Sequence, residues 1–183
     1  LSVSGAVAIS LSDPTSKKKS VGIAGSFSKN DLTMTTETFV KNSTITAGSL
    51  IQHSDTTGWV VAVSAGGSGS TGTDSYAISG SVSLNEIDRT TRANLDNATV
   101  TLSGEMKQTA TSDATMTAVG GAFSIGGKLG VGASVGYNEI ESTTEAKILS
   151  STLSVAGDLS LKADNKNRIT AITVSLGASK STG

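Results

Sequence analysis

The chain has 183 residues, a formal net charge of -1 and only 16% charged residues, so it offers no basic cluster of the kind that nucleic-acid binding requires. It contains no cysteine, which excludes disulfides and thiolate metal sites. Aromatic residues make up 3%, too few for an ordinary globular core, yet 36% hydrophobic residues are too many for a disordered linker.

The first 19 residues indicate the tail of a preceding structural unit. Leu1 to Ser10 alternate between apolar and small residues, and Lys17, Lys18 and Lys19 follow as a solvated loop tip. No signal peptide opens the chain, and no apolar run is long enough for a membrane-spanning helix. We therefore expect a segment cut from a longer array by cleavage or by an experimenter, with no membrane insertion.

An internal repeat organises the rest of the chain. Asn30, Asn85 and Asn138 occupy equivalent positions in three similar stretches and are 55 and 53 residues apart. A fixed period of this length is typical of solenoids. The sequence predicts a single solenoid over residues 1–183, with repeats at approximately 20–74, 75–128 and 129–183 and with 1–19 as the tail of another repeat.

Within each repeat, apolar residues alternate with Ser or Thr, as in Ile169–Val174, which predicts strands. We interpret Glu139–Leu149 as strand or turn, and we place the three repeated asparagines at strand corners. Because one repeat is long for a compact coil, we expect two coils of roughly 27 residues in each, about seven coils in all and a rod of about 33 Å. Glycine-rich stretches at 66–72, 120–121, 126–127 and 177–180 would be excursions with positive φ.

The predicted fold class is all-β, a parallel β-helix solenoid, with a right-handed coil favoured. A left-handed roll is the alternative, but it predicts much shorter repeats. A transmembrane barrel is a second alternative, since residues 130–137 alternate, but the aromatic girdles of such barrels are missing.

One repeat carries a family resemblance. Residues 132–163 contain Asn138-Glu139-Ile140, then Ala146-Lys147-Ile148, Ser151-Thr152-Leu153 and Gly157-Asp158-Leu159-Ser160-Leu161-Lys162-Ala163. This stretch resembles the repeats of large bacterial filamentous adhesins of the filamentous-haemagglutinin and leukotoxin-like class, and residues 25–54 and 79–110 resemble them more loosely. The resemblance implies a right-handed parallel β-helix, secreted by a partner pore or as an autotransporter passenger and displayed on the bacterial cell surface.

Candidate catalytic and metal-binding residues are few. His53 is the one histidine, and the equivalent positions of the later repeats are read as Gln108 and Leu161, which argues against a catalytic triad. Acidic residues two apart would share a strand face and offer oxygen ligands to calcium, or they are simply solvated; these are Glu86 and Asp88, Glu139 and Glu141, with Asp31 in the first repeat. We expect no catalytic, cofactor-binding or metal-binding site.

Other polar and aromatic residues have structural interpretations. Asn42 and Asn97 begin glycosylation sequons, but asparagine is also a common turn residue. Trp59 and Tyr76 are expected to pack at coil corners, with sugar stacking as the alternative. The threonine-rich stretch 33–38 resembles an ice-binding face, although its spacing drifts.

These observations favour a structural and adhesive function, not an enzymatic one. The expected role is a rigid, secreted shaft segment on the bacterial cell surface that associates end to end into filaments or contacts a cell-surface ligand, without nucleic acid or cofactor. The alternative is a β-helix enzyme that degrades polysaccharides, or another glycan-binding module, which would require acids and bases that stand outside the repeat.

Overall fold

A computed structural model describes residues 2–11 and 19–180, so Lys17 and Lys18 lie outside the described residues. Within those two ranges the chain forms ten strands and has no helix long and apolar enough to cross a membrane. The strands are β1 (Ser2–Ser10), β2 (Ser20–Lys41), β3 (Thr44–Ala47), β4 (Leu50–Ser70), β5 (Ser75–Asp96), β6 (Thr99–Leu102), β7 (Met106–Gly126), β8 (Leu129–Leu149), β9 (Thr152–Val155) and β10 (Leu159–Ser179). The residues 139–149 therefore continue a strand and form no separate turn.

All pairing between neighbouring strands is parallel, which confirms the all-β solenoid class. Three sheets result, with strand orders β2-β5-β8, β3-β6-β9 and β1-β4-β7-β10. A coil consists of one long strand, one short strand and a second long strand, after which the chain begins the next coil. We call these sheets the outgoing sheet, the short sheet and the return sheet, respectively.

The register shows that each repeat makes one coil, so the expectation of two coils per repeat is wrong. Asn30 pairs with Asn85 and Asn85 with Asn138, one coil apart. The coil accommodates a whole repeat because its two long strands run for 21 or 22 residues, or about 70 Å, without a corner. Four strands in the return sheet then give a height of about 14 Å, not 33 Å. The handedness of the coil stays a prediction.

The glycine-rich stretches lie mostly within strands, so the predicted excursions are absent there; within the described residues, Gly72 and Gly127 of these stretches lie in corners between strands. Gly66, Gly120 and Gly177 lie in β4, β7 and β10, and the one glycine with positive φ among the described residues is Gly72, at 117° in the corner 71–74. Inward-facing glycine serves here to bring the sheets together. A Cβ added at Gly22 would lie 2.7 Å from the carbonyl oxygen of Gly69 in the facing sheet.

The interior has two different halves. Near the short sheet it is aliphatic, with Leu95, Val100 and Met106 almost completely buried. At the other end of the long strands the inward positions are small, for example Ser79, Ser81 and Ser83. We call these the aliphatic half and the serine half; the repeated asparagines lie at the boundary between them.

Candidate functional site: stacking ladders and outer faces

The stacking of equivalent side chains from coil to coil is the main structural device of this chain. In the aliphatic half, Leu95 of the central coil is fully buried between Val40 and Ile148 of the coils on either side. Equivalent positions in the last coil are more exposed. Met106 is 0% exposed, whereas Leu159, its partner in β10, is 50% exposed. The inward side chains of the last coil are therefore less completely covered than those of the central coil, which has a coil on both sides.

The repeated asparagines form a ladder inside the solenoid. Asn30 Nδ2 donates to Asn85 Oδ1 at 2.6 Å, and Asn85 Nδ2 donates to Asn138 Oδ1 at 2.8 Å. Their expected placement at strand corners is wrong, because all three lie near the middle of β2, β5 and β8. A carboxamide has both a donor and an acceptor, so identical residues stacked at strand spacing satisfy one another.

Arg89 is a buried cation that the sequence analysis did not identify. Arg89 as a whole is 0% exposed. Its guanidinium donates hydrogen bonds to the backbone carbonyl oxygens of Thr56 and Asp113 and, at 3.4 Å, to Asn167 Oδ1. Burial lowers the pKa of Arg89 from its ordinary value, while the Asp113 carboxylate acts in the opposite direction. Gly58 makes room for it, since a Cβ there would lie 3.3 Å from Arg89 Nη1. These contacts connect parts of all three complete coils, because Thr56, Asp113 and Asn167 lie in β4, β7 and β10.

A second ladder on the outer surface consists of charges. Arg92 of the central coil donates to Glu37 at 2.8 Å on one side and to Glu145 at 3.1 Å on the other. Lys147 also binds Glu145, and this hydrogen bond lowers the pKa of Glu145 from its ordinary value. Partial desolvation raises the pKa of Glu145, and Arg92 lowers it. The order of charges along the stack is negative, positive, negative.

The predicted acidic pairs lie on the outer face of the outgoing sheet. The register stacks Asp31, Glu86 and Glu139 in one column and places Asp88 beside Glu141 in the next. Among the described residues, no group of three or more acidic or histidine side chains has a geometry that could hold a metal ion. Tyr137 donates to Glu139 at 2.6 Å, and this bond raises the pKa of the Tyr137 hydroxyl.

His53 is exposed on the outer face of the return sheet. Its column contains Thr109 and Lys162, so the equivalence with Gln108 and Leu161 was one residue out of register. Gln108 and Leu161 instead share a column with the inward-facing Gln52, whose side chain accepts a hydrogen bond from Gln108. The structure does not bring His53 together with the acidic pairs of the opposite sheet.

The remaining candidates lie as follows. Trp59 is 70% exposed in the middle of β4, so its expected position at a corner is wrong, whereas Tyr76 lies beside the corner 71–74 at the start of β5. Asn42 and Asn97 occupy the corner between the outgoing and short sheets with φ of 51° and 47°. Asparagine tolerates this left-handed conformation, and Asn97 also donates to Asn42 at 2.8 Å.

The outer surface of the serine half is apolar, the reverse of its interior. On the outgoing sheet, three neighbouring columns form two ridges of large side chains on either side of a channel of small ones. The columns are the first ridge (Ile23, Ile78, Val131), the glycine groove (Gly25, Gly80, Ala133) and the second ridge (Phe27, Val82, Val135). Five of the six ridge residues are 43–68% exposed, and the sixth, Val82, is 36% exposed.

The outer face of the return sheet in the same half is also apolar, but its columns differ in regularity. One of its columns, Val63, Val119 and Ile172, is a continuous ridge, whereas the column of Val7, Gly67, Phe123 and Leu176 is interrupted by a glycine. A groove of small residues with a complete ridge on each side therefore occurs on the outgoing sheet, whereas the return sheet of this half has a complete ridge on one side of its small residues. A comparison of the chain with protein-family models, with curated proteins and with solved structures finds no significant match.

Proposed function

We propose that this chain is a segment of the rigid, repetitive shaft of a secreted bacterial surface adhesin or filament, and that its coils associate end to end. The observation that carries the proposal is the incomplete burial of the last coil. Inward side chains that are covered in the central coil, such as Met106, have half-exposed partners in the last coil, such as Leu159. A further coil in the same register would cover them.

Backbone pairing supports the same proposal. Within the described ranges, β8 pairs with β5 alone and β2 with β5 alone, so each has one edge with unpaired backbone groups. Such edges template the addition of another strand. A second copy placed on β8 through its own β2 would bring its Asn30 next to Asn138 at strand spacing and continue the asparagine ladder. Its β1, which pairs with residues 62–70 of β4, would have to leave that edge, because β10 would then occupy it.

The charges at such a junction oppose it. On the outgoing sheet, Glu37 of the second copy would face Glu145 and its Asp31 would face Glu139, and on the return sheet its Asp55 would face Asp164. These are three like-charge pairs at positions where direct opposition destabilises a sheet. We therefore expect association of this segment to be slow at low ionic strength and to increase when salt screens the charges. The substitution Glu37→Gln removes one of these three repulsions and should increase the association further.

Electron microscopy of the purified chain over a concentration series tests the proposal. We expect thin fibres that lengthen with concentration and with added salt, and longer fibres for Glu37→Gln. A matched pair of variants locates the contact: Ile148→Lys places a charge on the inward side of β8, and Leu149→Lys places the same charge on the outward side of the adjacent residue. The first should prevent lengthening and the second should not.

The folded state of both variants is checked by far-ultraviolet circular dichroism at a concentration where no fibres form. Globular particles would contradict the solenoid shaft. Depolymerisation of a polysaccharide by the purified chain would replace the proposal with the enzymatic alternative.

A further inference from the structure

The geometry points to a second mode of association: we infer that two copies of the solenoid pair side by side through the outer face of the outgoing sheet in the serine half, with the first ridge of each copy in the glycine groove of the other. The inference concerns this lateral face and does not depend on the end-to-end association.

The distribution of apolar residues is the first reason. In the central coil, Ser79, Ser81 and Ser83 are at most 2% exposed, whereas Ile78 and Val82, on the other face of the same strand, are 48% and 36% exposed. The serine half thus keeps its small polar groups inside and its aliphatic groups in water. A large, contiguous apolar face on a protein surface marks an interaction site.

The shape of the face is the second reason. Gly25 has no atom within 4 Å of an added Cβ, and the nearest atom at Gly80 is 3.9 Å away, so the groove is open towards solvent. Ridges and groove run along the stack, perpendicular to the strands. A two-fold axis along the stack, between the first ridge and the groove, would place each ridge in the partner's groove and the second ridge against the partner's column of Val21, Tyr76 and Leu129.

Charge and size identify a second copy as the occupant. The columns from Val21 to Phe27 contain no ionisable group except the Tyr76 hydroxyl, so two identical faces meet without like-charge repulsion. Three strands of about nine residues give a face of roughly 430 Å² on each copy, or about 860 Å² in total. That is below the 1,200 Å² or more of a stable complex, so this segment should pair weakly, and each further coil would add about 290 Å² to the total.

Matched glycine variants test this inference. Gly80→Glu puts a carboxylate into the groove of the central coil. Gly121→Glu puts one on the outer face of the return sheet of the same coil, where the nearest atom to an added Cβ is also 3.9 Å away. Both variants change the net charge equally. At low ionic strength, where end-to-end association is slow, we expect sedimentation velocity to show a monomer–dimer equilibrium for the unmodified chain and for Gly121→Glu. We expect at least about a 100-fold weaker dimer for Gly80→Glu, since an uncompensated buried charge costs several kcal/mol.

Three results would overturn the inference. The first is a chain that stays monomeric up to about 1 mM, so that any pairing is weaker than a millimolar dissociation constant. The second is equal weakening by both variants, which would remove the distinction between the two faces. The third is an unmodified chain that stays monomeric in buffer but cosediments with phosphatidylcholine vesicles, which would assign the face to lipid. Fibres that Gly80→Glu leaves unchanged would belong to the end-to-end mode, so failure here leaves the shaft proposal intact.

Discussion

The close approach of the two long sheets in the serine half should make one inward glycine indispensable while its neighbour on the same strand is replaceable. A Cβ added at Gly132 would lie 2.8 Å from the carbonyl oxygen of Leu176 and 2.9 Å from that of Ala122. At Gly136, also inward on β8, the nearest atoms would be a methyl carbon of Thr173 at 3.6 Å and an amide nitrogen of Asn138 at 3.7 Å.

The magnitude follows from these distances. Ordinary contact begins at 3.4 Å, so Gly132→Ala must move two backbone segments apart by about 0.6 Å. A gap of that size forfeits a quarter to a half of the contact energy around it, and overpacking of this kind costs about 1–3 kcal/mol. Gly136→Ala fits without displacement and should instead stabilise by about 0.4–1 kcal/mol, because alanine reduces the freedom of the unfolded chain.

Urea unfolding followed by far-ultraviolet circular dichroism measures both variants at a concentration where the chain does not associate. We expect the two free energies of unfolding to differ by about 1.5–4 kcal/mol, with unchanged dependence on urea. Equal stabilities for the two variants would show that the sheets are farther apart than described and would refute the close approach.

Three further predictions concern the interior and the charge ladder. Ile87→Ala, at a fully buried position of the central coil, should lower the free energy of unfolding by about 2–5 kcal/mol. Ile140→Ala, at the equivalent position of the half-covered last coil, should lower the free energy of unfolding by clearly less. Equal losses would contradict the dependence of burial on stacking. Arg89→Met replaces a buried charge with apolar volume and should leave the free energy of unfolding in urea unchanged or raise it. Arg89→Ala leaves a cavity and should lower the free energy of unfolding by about 2–4 kcal/mol. A large loss for Arg89→Met would mean that the cation itself is required. Because folding lowers the pKa of Glu145, this residue stabilises the fold at pH values above the ordinary glutamate pKa of 4.5, and the stabilisation is lost as pH falls through the lowered pKa of the folded state. Glu145→Gln or Lys147→Met should therefore flatten the pH dependence of thermal unfolding in that acidic range. An unchanged profile would show that the Glu145–Lys147 pair does not contribute to stability.

Much of the fold could be predicted from sequence because parallel stacking places equivalent residues in columns. The period that relates Asn30 to Asn85 set the spacing of coils, and alternation predicted the strands. The number of coils could not be obtained in this way. One strand of 22 residues has the same alternation of apolar and polar residues as two shorter strands joined by a glycine turn. The sequence around Gly66 or Gly120 does not distinguish the continuous strand from the interrupted one.

The candidate site was predictable to a smaller extent. Asn42 and Asn97 were correctly interpreted as turn residues, whereas Arg89 was missed because an arginine in a threonine-rich stretch has the pattern of a solvated side chain. The signal that could have found it is its parity, since it follows Ile87 by two residues and so shares a strand face with a core position.

The apolar outer face shows where sequence stops and tertiary structure begins. Large apolar residues in β5 occupy even positions before Asn85, such as Ile78 and Val82, and odd positions after it, such as Ile87 and Leu95. Side chains of an extended strand alternate strictly between two faces. The sequence by itself therefore determined that the two halves of the strand place their large apolar residues on opposite faces. Only the tertiary structure decided which half faces inward. The short sheet closes the coil beside Leu95, where aliphatic side chains fill a wider interior, and at the opposite end the inward glycines let the sheets approach too closely to admit anything larger than serine, alanine or threonine.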